Sequence, residues 1–523
     1  MSERFTTERF IQRVLEVIPG FLLWLLLLLP LLGIFGSTIS EIIIYFIVIL
    51  AVYWLYRAVL VTFGGIVGYL KYRDAIKRDW LKECLSLEKD KLPDSHELPE
   101  TFLPKQLVVI ANYGEDYDIL SRSIKAIMNQ NYPRELLYLS VSIEERKAKK
   151  DPDYAKRGEY LKRDFGEFFG DRLMFFVHPD NIPGEAIGAA ANRTWGTKKA
   201  VEELERRGEN IKDFLITAPD GDISFHREYF GALTHKWLTS EDRNKKFYQT
   251  AVYTFNNNYW DVPLLIRIIS VSLTIPILAS SIVEKNRRET FSCYTLNLQL
   301  MKDVNYWDTS LGIDDTTFYW RPYLYLNGEW HCEVFFIPLS ADAIYDPKYI
   351  KNHFDQYKQY VRWGWGVISF PIGIKTLYSN IKISFIEKLT KTIHLLEVFV
   401  ISKVLAFLIA FGLPILLFLN KDLDNHVISY TAPSVISAIL NITTIFLIPT
   451  AILKLLLIPR RPEKLNKNKY YLLLLIEIPL NIVVLLTFSF LPFVEATTRM
   501  MLGQDHAKRI KWSEKQLAQD LIN

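Results

Sequence analysis

The stretch at residues 106–145, QLVVIANYGEDYDILSRSIKAIMNQNYPRELLYLSVSIEE, decides the fold of the central part of the chain. It opens with QLVVIA, a short run rich in β-branched residues that ends at the turn NYGE. DILSRSIKAIMNQ then places apolar residues at helical spacing, and LLYLSVSIEE returns to the pattern of a strand. Strand, helix and strand in this order predict a parallel α/β sheet, to which LMFFVHP and FLITAPD add later strands.

Two aspartates, Asp220 and Asp222, directly follow one of these later strands. In such sheets ligands collect at the carboxyl ends of the strands. Two carboxylates on either side of Gly221 can both turn toward one hard cation, such as Mg²⁺ or Mn²⁺, because glycine permits the tight backbone. A nucleoside diphosphate with that cation fits the arrangement. The alternative is a solvated turn with helix-capping aspartates, since such pairs also occur by chance in loops.

The composition narrows the class of protein. The chain has 523 residues, 50% of them hydrophobic, which suffices for one large soluble domain together with membrane segments. The net charge is only +4 and the sequence has no basic run with interleaved aromatic residues, so nucleic-acid binding is not expected. The cysteines predict reduced thiols in a cytosolic domain rather than a disulfide scaffold or a zinc cluster, because they are scattered: Cys84, Cys293 and Cys332.

Long apolar runs lie on both sides of this soluble part. Residues 21–35 and 42–60 are each about 15 to 20 residues long, which is the length that a helix needs to cross a bilayer. Basic residues flank the pair and place both of its ends in the cytosol by the positive-inside rule. They are Arg4, Arg9 and Arg13 before the pair and Lys71, Arg73, Lys77 and Arg78 after it.

Three further apolar runs follow near the C-terminus, at residues 394–419, 427–458 and 470–494. The basic stretch PRRPEKLNKNK between the last two is expected in the cytosol. The tail HAKRIKWSEK is also basic, yet an odd fifth span would put it outside. Either the tail lies outside, or the last run, which Glu477 and Pro479 interrupt, bends back within the membrane.

These runs divide the chain into four parts. We expect an N-terminal membrane region with two transmembrane helices at residues 1–70 and a cytosolic domain with interface helices at residues 100–379. A C-terminal membrane region with about three transmembrane helices follows at residues 390–497, and a basic tail at residues 498–523. The chain is therefore predicted to be a multi-pass protein of the cell membrane.

The motifs of the soluble part resemble, in type and order, those of the membrane-integrated family 2 glycosyltransferases, the group that includes cellulose, chitin and hyaluronan synthases. The resemblance covers Val108 to Gly366 and the membrane regions on both sides. VVIANYGEDYDIL is similar to the family's first strand and turn, VSIEER to its second strand, and APDGD to its metal-binding D-x-D. GIDDTTFYWR is similar to its T-E-D segment, and QYVRW matches its Q-x-x-R-W signature. The resemblance implies a GT-A-like (Rossmann-like) α/β domain in the cytosol, inserted between α-helical transmembrane segments.

The resemblance also implies roles for individual residues. Asp222 and Asp220 would hold Mg²⁺ or Mn²⁺, and Asp315 would be the general base with Asp314 beside it. Glu144 and Glu145 would contact the nucleoside. The full set expected to bind the nucleotide-sugar donor, a UDP-sugar, or the acceptor comprises Asn112, Glu115, Glu144, Glu145, Asn192, Asp220, Gln359, Arg362 and Trp363.

The Q-x-x-R-W match is the most specific of these. Gln359, Arg362 and Trp363 are spaced i, i+3 and i+4, so they share one face of a helix. In the family this face binds the donor diphosphate through Gln and Arg and the acceptor sugar through Trp. Arginine suits bidentate phosphate recognition, and tryptophan offers an apolar face to a sugar ring. The alternative is an amphipathic helix lying on the membrane, because VRWGWGVISF is rich in aromatic residues.

Asp314 and Asp315 follow Gly312 closely, and the alternative for them is a solvated surface pair. In the functional interpretation, Asp315 takes the proton from an acceptor hydroxyl, and Asp314 stands where the family usually has Glu. A carboxylate whose pKa is adjusted by a neighbouring acid suits this step. The cation at Asp222 would neutralise the departing nucleoside diphosphate. No covalent nucleophile is then needed, so the anomeric configuration is expected to invert.

The sequence departs from the family at Ala189, where a lysine normally contacts the diphosphate. This change weakens donor binding or shifts the task to Arg193 or Arg362, and it leaves room for an inactive member. Asn192 remains at its expected place. His178, before a proline at the end of a strand, is interpreted as a structural residue rather than a ligand.

The apolar run at residues 262–282 tests this layout. A single membrane crossing there would put Asp222 and Asp315 on opposite sides of the membrane, although they must share one site. The run carries a polar stripe at helical spacing, which favours a helix lying in the membrane interface. The stripe consists of Arg267, Ser270, Thr274 and Ser281.

These features together predict inverting, metal-dependent transfer of a sugar from a nucleotide sugar to a growing glycan at the membrane. Whether transfer is coupled to export of the product is left open by the sequence. The partners would be the donor, a glycan or lipid-linked acceptor and membrane lipids. A first alternative is a single-transfer enzyme acting on a lipid or lipid-linked acceptor. A second, motivated by Ala189, is a non-catalytic membrane subunit derived from such an enzyme.

Overall fold

The computed structural model describes residues 2–463 and 465–504, so most of the predicted basic tail, from residue 505 onward, lies outside the described residues. The described chain forms two compact units. Residues 2–69, Val271–Val283 and Gln356–Gln504 form the first, which we call the helical unit. Leu70–Ser270 and Glu284–Asp355 form the second, which we call the sheet unit.

The strands of the sheet unit are arranged in two sheets. The larger sheet has seven strands in the order β3-β2-β1-β4-β8-β6-β9, and the smaller has three in the order β5-β10-β7. The strands are β1 (Lys105–Asn112), β2 (Leu137–Glu144), β3 (Leu173–His178), β4 (Phe214–Thr217), β5 (Ser224–Phe225), β6 (Phe247–Thr250), β7 (Tyr253–Thr254), β8 (Thr295–Asn297), β9 (Cys332–Phe335) and β10 (Leu339–Ser340).

The larger sheet is mixed rather than wholly parallel. β1 pairs in parallel with both β2 and β4, and β2 pairs in parallel with β3, which confirms the predicted strand-helix-strand core. The prediction of a parallel sheet is wrong beyond β4, because β8 is antiparallel to both of its neighbours, β4 and β6. The carboxyl ends of the four parallel strands nevertheless meet at one edge, where ligands bind in such sheets.

Helices cover the strands, and their sequences explain why they form. The helix Tyr117–Met128 buries Leu120, Ile124 and Ile127 on one face, the spacing of an amphipathic helix. The other helices that begin in the sheet unit are Trp80–Leu85, Glu145–Ala148, Pro152–Ala155, Arg157–Phe169, Ala189–Arg206, Tyr229–Leu238, Leu264–Val271, Leu298–Asp303, Asp315–Phe318, Trp320–Tyr325 and Tyr349–Gly364.

One close contact fixes the helix Ala189–Arg206 against β2. A Cβ atom on Gly196 would lie 2.6 Å from the hydroxyl oxygen of Ser142, so only glycine lets the helix approach the strand this closely. The first turns of this helix, which carry Asn192 and Arg193, are thereby held over the carboxyl edge of the sheet.

The helical unit consists mainly of long apolar helices. Its helices are Ser2–Leu28, Ser37–Ala75, Thr274–Val283, Ser369–Ser379, Phe385–Leu396, Ser402–Phe407, Leu413–Leu419, Val427–Leu457, Lys467–Val484 and Leu491–Met501. Within the described residues, six helical segments are long and apolar enough to cross a membrane: Thr7–Phe35, Ser37–Ala75, Leu264–Val283, Phe385–Leu419, Val427–Leu457 and Pro479–Met501. Five of them overlap the runs predicted to be transmembrane helices.

The last of the predicted C-terminal runs stays helical through Glu477 and Pro479, where a bend was one of the two expectations. Pro479 lies inside the helix Lys467–Val484. Glu477, the other interrupting residue, is buried and forms an ion pair with Lys454 at 2.8 Å. A buried carboxylate in an apolar helix is tolerated when it is paired, so the interruption marks a contact between helices.

The remaining segment, Leu264–Val283, is the run predicted to lie in the membrane interface. It is broken into two helices, Leu264–Val271 and Thr274–Val283. The strands on either side of it, β6 and β8, are hydrogen-bonded to each other in one sheet. Both ends of the segment therefore lie on the same side of a membrane. A single membrane crossing between β6 and β8 is incompatible with this sheet.

Candidate active site

The aspartates of the D-G-D segment follow β4 and differ in their exposure. Asp222 is buried, and its Oδ2 accepts a hydrogen bond from the backbone N–H of Asp342 at 2.8 Å. The side chain of Asp220 is 51% exposed. Asp222 is thus fixed from within the fold, whereas the carboxylate of Asp220 is accessible from solvent.

A single arginine connects the D-G-D segment to the I-D-D segment. Arg193 is buried, and its guanidinium forms ion pairs with Asp314 and, at 3.3 Å, with Asp220. It also donates to the carbonyl oxygen of Pro219 at 3.2 Å. Burial lowers the pKa of Arg193, but the charges of Asp314 and Asp220 outweigh burial and raise that pKa above its ordinary value. The buried cation brings together two acidic motifs that are far apart in the sequence.

Asp315 is held beside this ion-pair network by two backbone N–H groups. Its Oδ2 accepts from Ser292 at 3.0 Å, and its Oδ1 accepts from Thr316 at 2.8 Å. Burial and the neighbouring charge of Asp314 raise the pKa of Asp315 to about 6, although the two backbone hydrogen bonds act in the opposite direction. A carboxyl group that titrates near neutrality is suited to take a proton from a substrate hydroxyl.

The turn after β1 contacts the D-G-D segment. The Oε2 of Glu115 accepts hydrogen bonds from Asn112 Nδ2 at 2.6 Å and from the backbone N–H of Tyr113 at 2.8 Å. A Cβ atom on Gly221 would lie 3.5 Å from the carboxyl carbon of Glu115. Asn112, Glu115 and the D-G-D segment therefore meet at the carboxyl edge of the sheet.

Asn192 joins this edge from the first turn of its helix. Its Nδ2 donates to the carbonyl oxygens of Asn112 at 3.4 Å and of Ser142 at 3.2 Å. The side-chain oxygens of Asn112 and Asn192 are buried and accept no hydrogen bond from any residue that the structure describes. Unpaired buried acceptors are uncommon in folded proteins. The described chain therefore leaves two hydrogen-bond acceptors without a donor at this edge of the sheet.

Protein groups already occupy the carboxylates of Glu144 and Glu145. Glu144 accepts from Arg146 Nε at 2.9 Å and lies 3.2 Å from His178 Nδ1, and Glu145 accepts from a backbone N–H at 2.8 Å. His178 Nε2 lies 2.9 Å from Glu185. Burial lowers the pKa of His178, but Glu144 and Glu185 raise it more, so its pKa lies above the ordinary value. His178 thus connects two carboxylates at the end of β3, and the nucleoside contacts of Glu144 and Glu145 stay a prediction.

Gln359, Arg362 and Trp363 lie on one helix, Tyr349–Gly364, as the spacing predicts. They belong to the helical unit, whereas the site residues described above belong to the sheet unit. Gln359 is buried, and the ring centroid of Trp363 lies 4.6 Å from that of Tyr360. The contacts of these three residues with a donor or an acceptor stay predictions.

Carboxylates are available for a metal ion, but the described side chains alone do not enclose one. In residues 2–463 and 465–504, no three side chains of His, Cys, Asp or Glu are grouped as metal ligands. Asp220 and Asp222 nevertheless supply oxygen ligands of the type that Mg²⁺ and Mn²⁺ prefer. Mg²⁺ is often held by one or two carboxylates together with substrate phosphates, and this pair fits that pattern.

Ser292 is a site residue that no sequence pattern indicates. Its backbone N–H donates to Asp315, and its hydroxyl donates to Asp220 Oδ2 at 3.2 Å. Its φ of 47° lies in the left-handed region, which residues other than glycine rarely adopt. Such backbone strain is found where it directs groups into a site. The segment TFSCY carries no glycine or turn signal that would have revealed it.

Comparisons with known proteins identify no family. No family model matches the chain, and no curated protein matches it in sequence. Among solved structures, a mannosyltransferase from Pyrobaculum calidifontis in complex with GDP-Man and Mn²⁺ is 12% identical with a TM-score of 0.38, and the match covers 76% of this chain and 99% of that chain. Two structures of S. aureus TarS, one in complex with UDP-GlcNAc, are 13% and 12% identical with TM-scores of 0.34, covering 65% of this chain and 90% of theirs. These TM-scores are too low to support an argument about the fold or activity of this chain.

Proposed function

We propose that the chain is a membrane glycosyltransferase of the family 2 type, which transfers a sugar from a nucleoside diphosphate donor to a growing glycan with inversion at the anomeric carbon. The sheet unit would be its GT-A-like catalytic domain on the cytosolic side. A UDP-sugar is the expected donor, because the sequence motifs resemble those of synthases that use uridine nucleotides.

The observation that carries this proposal is the connection from Asp220 through Arg193 to Asp314. It supports one site made of two acidic motifs with different tasks. The D-G-D segment would bind the donor, and the I-D-D segment would activate the acceptor. The raised pKa of Asp315 supports the second task, since a base that titrates near the working pH takes up a proton most effectively.

Asp220 and Asp222 would hold a Mg²⁺ or Mn²⁺ ion, which neutralises the negative charge that develops on the departing diphosphate. Activation of the acceptor would fall to Asp315, with support from Ser292. Asp315 would take the proton from the attacking hydroxyl, and Ser292 would orient both Asp315 and Asp220. Direct attack by that hydroxyl on the anomeric carbon gives inversion.

A second candidate function is favoured by one observation. Ala189 replaces the lysine that the family places beside the diphosphate, and Arg193, one of the two expected substitutes together with Arg362, already pairs with two aspartates. A site that lacks this cation would bind a diphosphate weakly. The chain would then be a non-catalytic membrane subunit that keeps the fold and the acidic motifs.

The experiment that tests the proposal uses the purified full chain with a panel of UDP-sugars and with GDP-Man, in the presence of Mg²⁺ or Mn²⁺. Release of nucleoside diphosphate from one donor, together with a sugar-containing product, is the expected result. Sizing of the product distinguishes extension of a glycan from a single transfer to a lipid. A chain that binds no donor and releases no nucleoside diphosphate under any condition is the non-catalytic subunit.

The variant Asp222→Asn tests the metal assignment within the same assay. We expect it to lose transfer together with the dependence on the divalent cation, because the cation loses a principal carboxylate. Asp213→Asn is the matched control, since Asp213 precedes the amino end of the same strand, β4, and should leave both properties unchanged. Full metal-dependent turnover by Asp222→Asn would contradict the assignment.

A further inference from the structure

An open groove of about 590 Å³ runs along the helix Tyr117–Met128. Its lining residues are distinct from those of the candidate active site. Most of the side chains that line it are hydrogen-bond donors, and two of these donors are cationic. The donors are Ser121, Arg122, Lys125, Asn129 and Ser224.

The lining of the groove favours an anionic ligand. Arg122 and Lys125 are three residues apart on one helix, so both cations face the same side. Among the described residues, no aromatic side chain lines the groove, which removes the flat apolar surface that a neutral sugar or a nucleobase would stack on. Asp118, which is exposed, is the one acidic residue of the described lining.

Two buried polar atoms of the lining have no partner in the part of the chain that the structure describes. These atoms are Arg122 Nε and Ser224 Oγ. Leaving a buried donor unpaired costs free energy, and the cost is larger for a charged group. Both residues line the groove, so acceptor oxygens of a ligand there would lie beside the guanidinium of Arg122 and the hydroxyl of Ser224.

We propose that this groove is a binding site for a phosphoryl anion. Planar guanidinium groups and hydroxyl donors are the usual partners of phosphoryl oxygens, and charge-assisted bonds of this type are the strong ones. The volume exceeds that of inorganic phosphate and leaves room for the organic part of a phosphate ester or of a lipid headgroup.

Asp342 competes with the anion for the same guanidinium. This aspartate is buried and forms an ion pair with Arg122 through its carboxylate. Its backbone N–H donates to Asp222, so Asp342 connects Arg122 of the groove to the D-G-D segment. Removal of the Asp342 charge should leave Arg122 more available and strengthen anion binding.

The test is calorimetric titration of the purified full chain in detergent. Inorganic phosphate and glycerol 3-phosphate probe a soluble ligand, and short-chain phosphatidic acid in micelles probes a lipid headgroup. We expect saturable binding of phosphate, a loss of affinity of at least about tenfold in Lys125→Gln and in Arg122→Gln, and a gain of at least about threefold in Asp342→Asn. Tighter binding of glycerol 3-phosphate or of phosphatidic acid identifies which source fills the groove.

The control is Lys162→Gln, which removes an exposed lysine from another helix, Arg157–Phe169, and should bind phosphate as the unaltered chain does. Lys125 is exposed, so its substitution does not threaten folding, and the result stands even where Arg122→Gln fails to fold. Equal phosphate affinity in the unaltered chain and Lys125→Gln, or binding of a neutral disaccharide without binding of phosphate, would overturn the proposal.

Discussion

Arg193 is the residue on which the geometry of the candidate site depends most. Replacing it with glutamine leaves Asp314 buried without its cation, and breaking a buried ion pair in this way typically costs about 3 to 5 kcal/mol. We expect Arg193→Gln to lower the free energy of unfolding of the sheet unit by an amount of that order and to abolish transfer. Chemical denaturation in detergent, followed by a probe of the sheet unit, measures the first effect.

The double variant Arg193→Gln/Asp314→Asn should recover part of the lost stability, because it removes both charges of the pair. Arg206→Gln, on the same helix, is the control, since Arg206 is exposed and pairs with a neighbouring glutamate on that helix. A double variant no more stable than Arg193→Gln alone would show that the pair with Asp314 is not what Arg193 contributes.

The raised pKa of Asp315 predicts the pH dependence of transfer. A base works only when it is deprotonated, so the rate should rise with pH through an apparent pKa of about 6 and level off above it. Asp315→Asn should cut transfer by at least about 10²-fold and leave donor affinity nearly unchanged. The measurements are the pH profile of kcat/KM and the affinity for the donor. Loss of donor affinity with an unchanged rate would make Asp315 a binding residue.

At the scale of elements, the strands and helices with a clear hydrophobic period could be predicted from the sequence. β1, the helix Tyr117–Met128 and β2 lie where the apolar pattern places them. β8 could not be predicted, because a strand of three residues is too short to show an alternating apolar pattern. Its antiparallel direction comes from pairing with β4 and β6. Local sequence does not encode such long-range pairing.

The same distinction applies to the candidate site. The D-G-D and I-D-D segments could be found because each is a compact motif. The ion pairs that connect the two segments could not be predicted. Arg193 is distant from both aspartates in the sequence, and an arginine in a helix has many possible partners. Ser292 was missed for a similar reason, since its role arises from a backbone conformation and not from its residue type.

The helix Tyr349–Gly364 carries a prediction about product length. If Trp363 supports the terminal sugar of a growing glycan, its stacking tolerates sliding, because it needs no fixed hydrogen bond. Trp363→Ala should remove about 1 to 3 kcal/mol of this contact, by analogy with stacking on aromatic rings elsewhere. We expect shorter products, with hydrolysis of the donor less affected, in a sizing assay. Trp363→Phe keeps a flat ring and should keep long products. Equal product lengths in the alanine and phenylalanine variants would assign another role to the ring.

At the scale of the whole molecule, the arrangement of the sheet predicts membrane topology. Lys246, before the apolar segment Leu264–Val283, and Lys285, after it, both form ion pairs with Glu333. The exposed Lys245 and Lys285 should therefore be labelled by a membrane-impermeant amine reagent from one face of the membrane, the cytosolic face. Single-lysine labelling in sealed vesicles of both orientations measures this.

Lys421 supplies the matched control for this topology. It is exposed between the helical segments Phe385–Leu419 and Val427–Leu457, and an odd number of crossings separates it from the sheet unit if each predicted span crosses once. We expect a reagent to reach it only from the opposite face. Labelling of Lys245 and Lys285 from different faces would exclude a shared site for Asp222 and Asp315.

The pairing of β8 with strands made earlier has a consequence for biosynthesis. β4 and β6 leave the ribosome before the apolar segment Leu264–Val283, and β8 leaves after it. The insertion machinery meets a segment long and apolar enough to be threaded across the bilayer at the moment when β4 and β6 still lack their partner strand β8. If the segment were threaded, β8 would be delivered to the wrong compartment and the sheet could never close. The polar stripe makes this segment less apolar, and we therefore expect apolar replacements of its serines to increase threading and to yield chains whose sheet does not assemble.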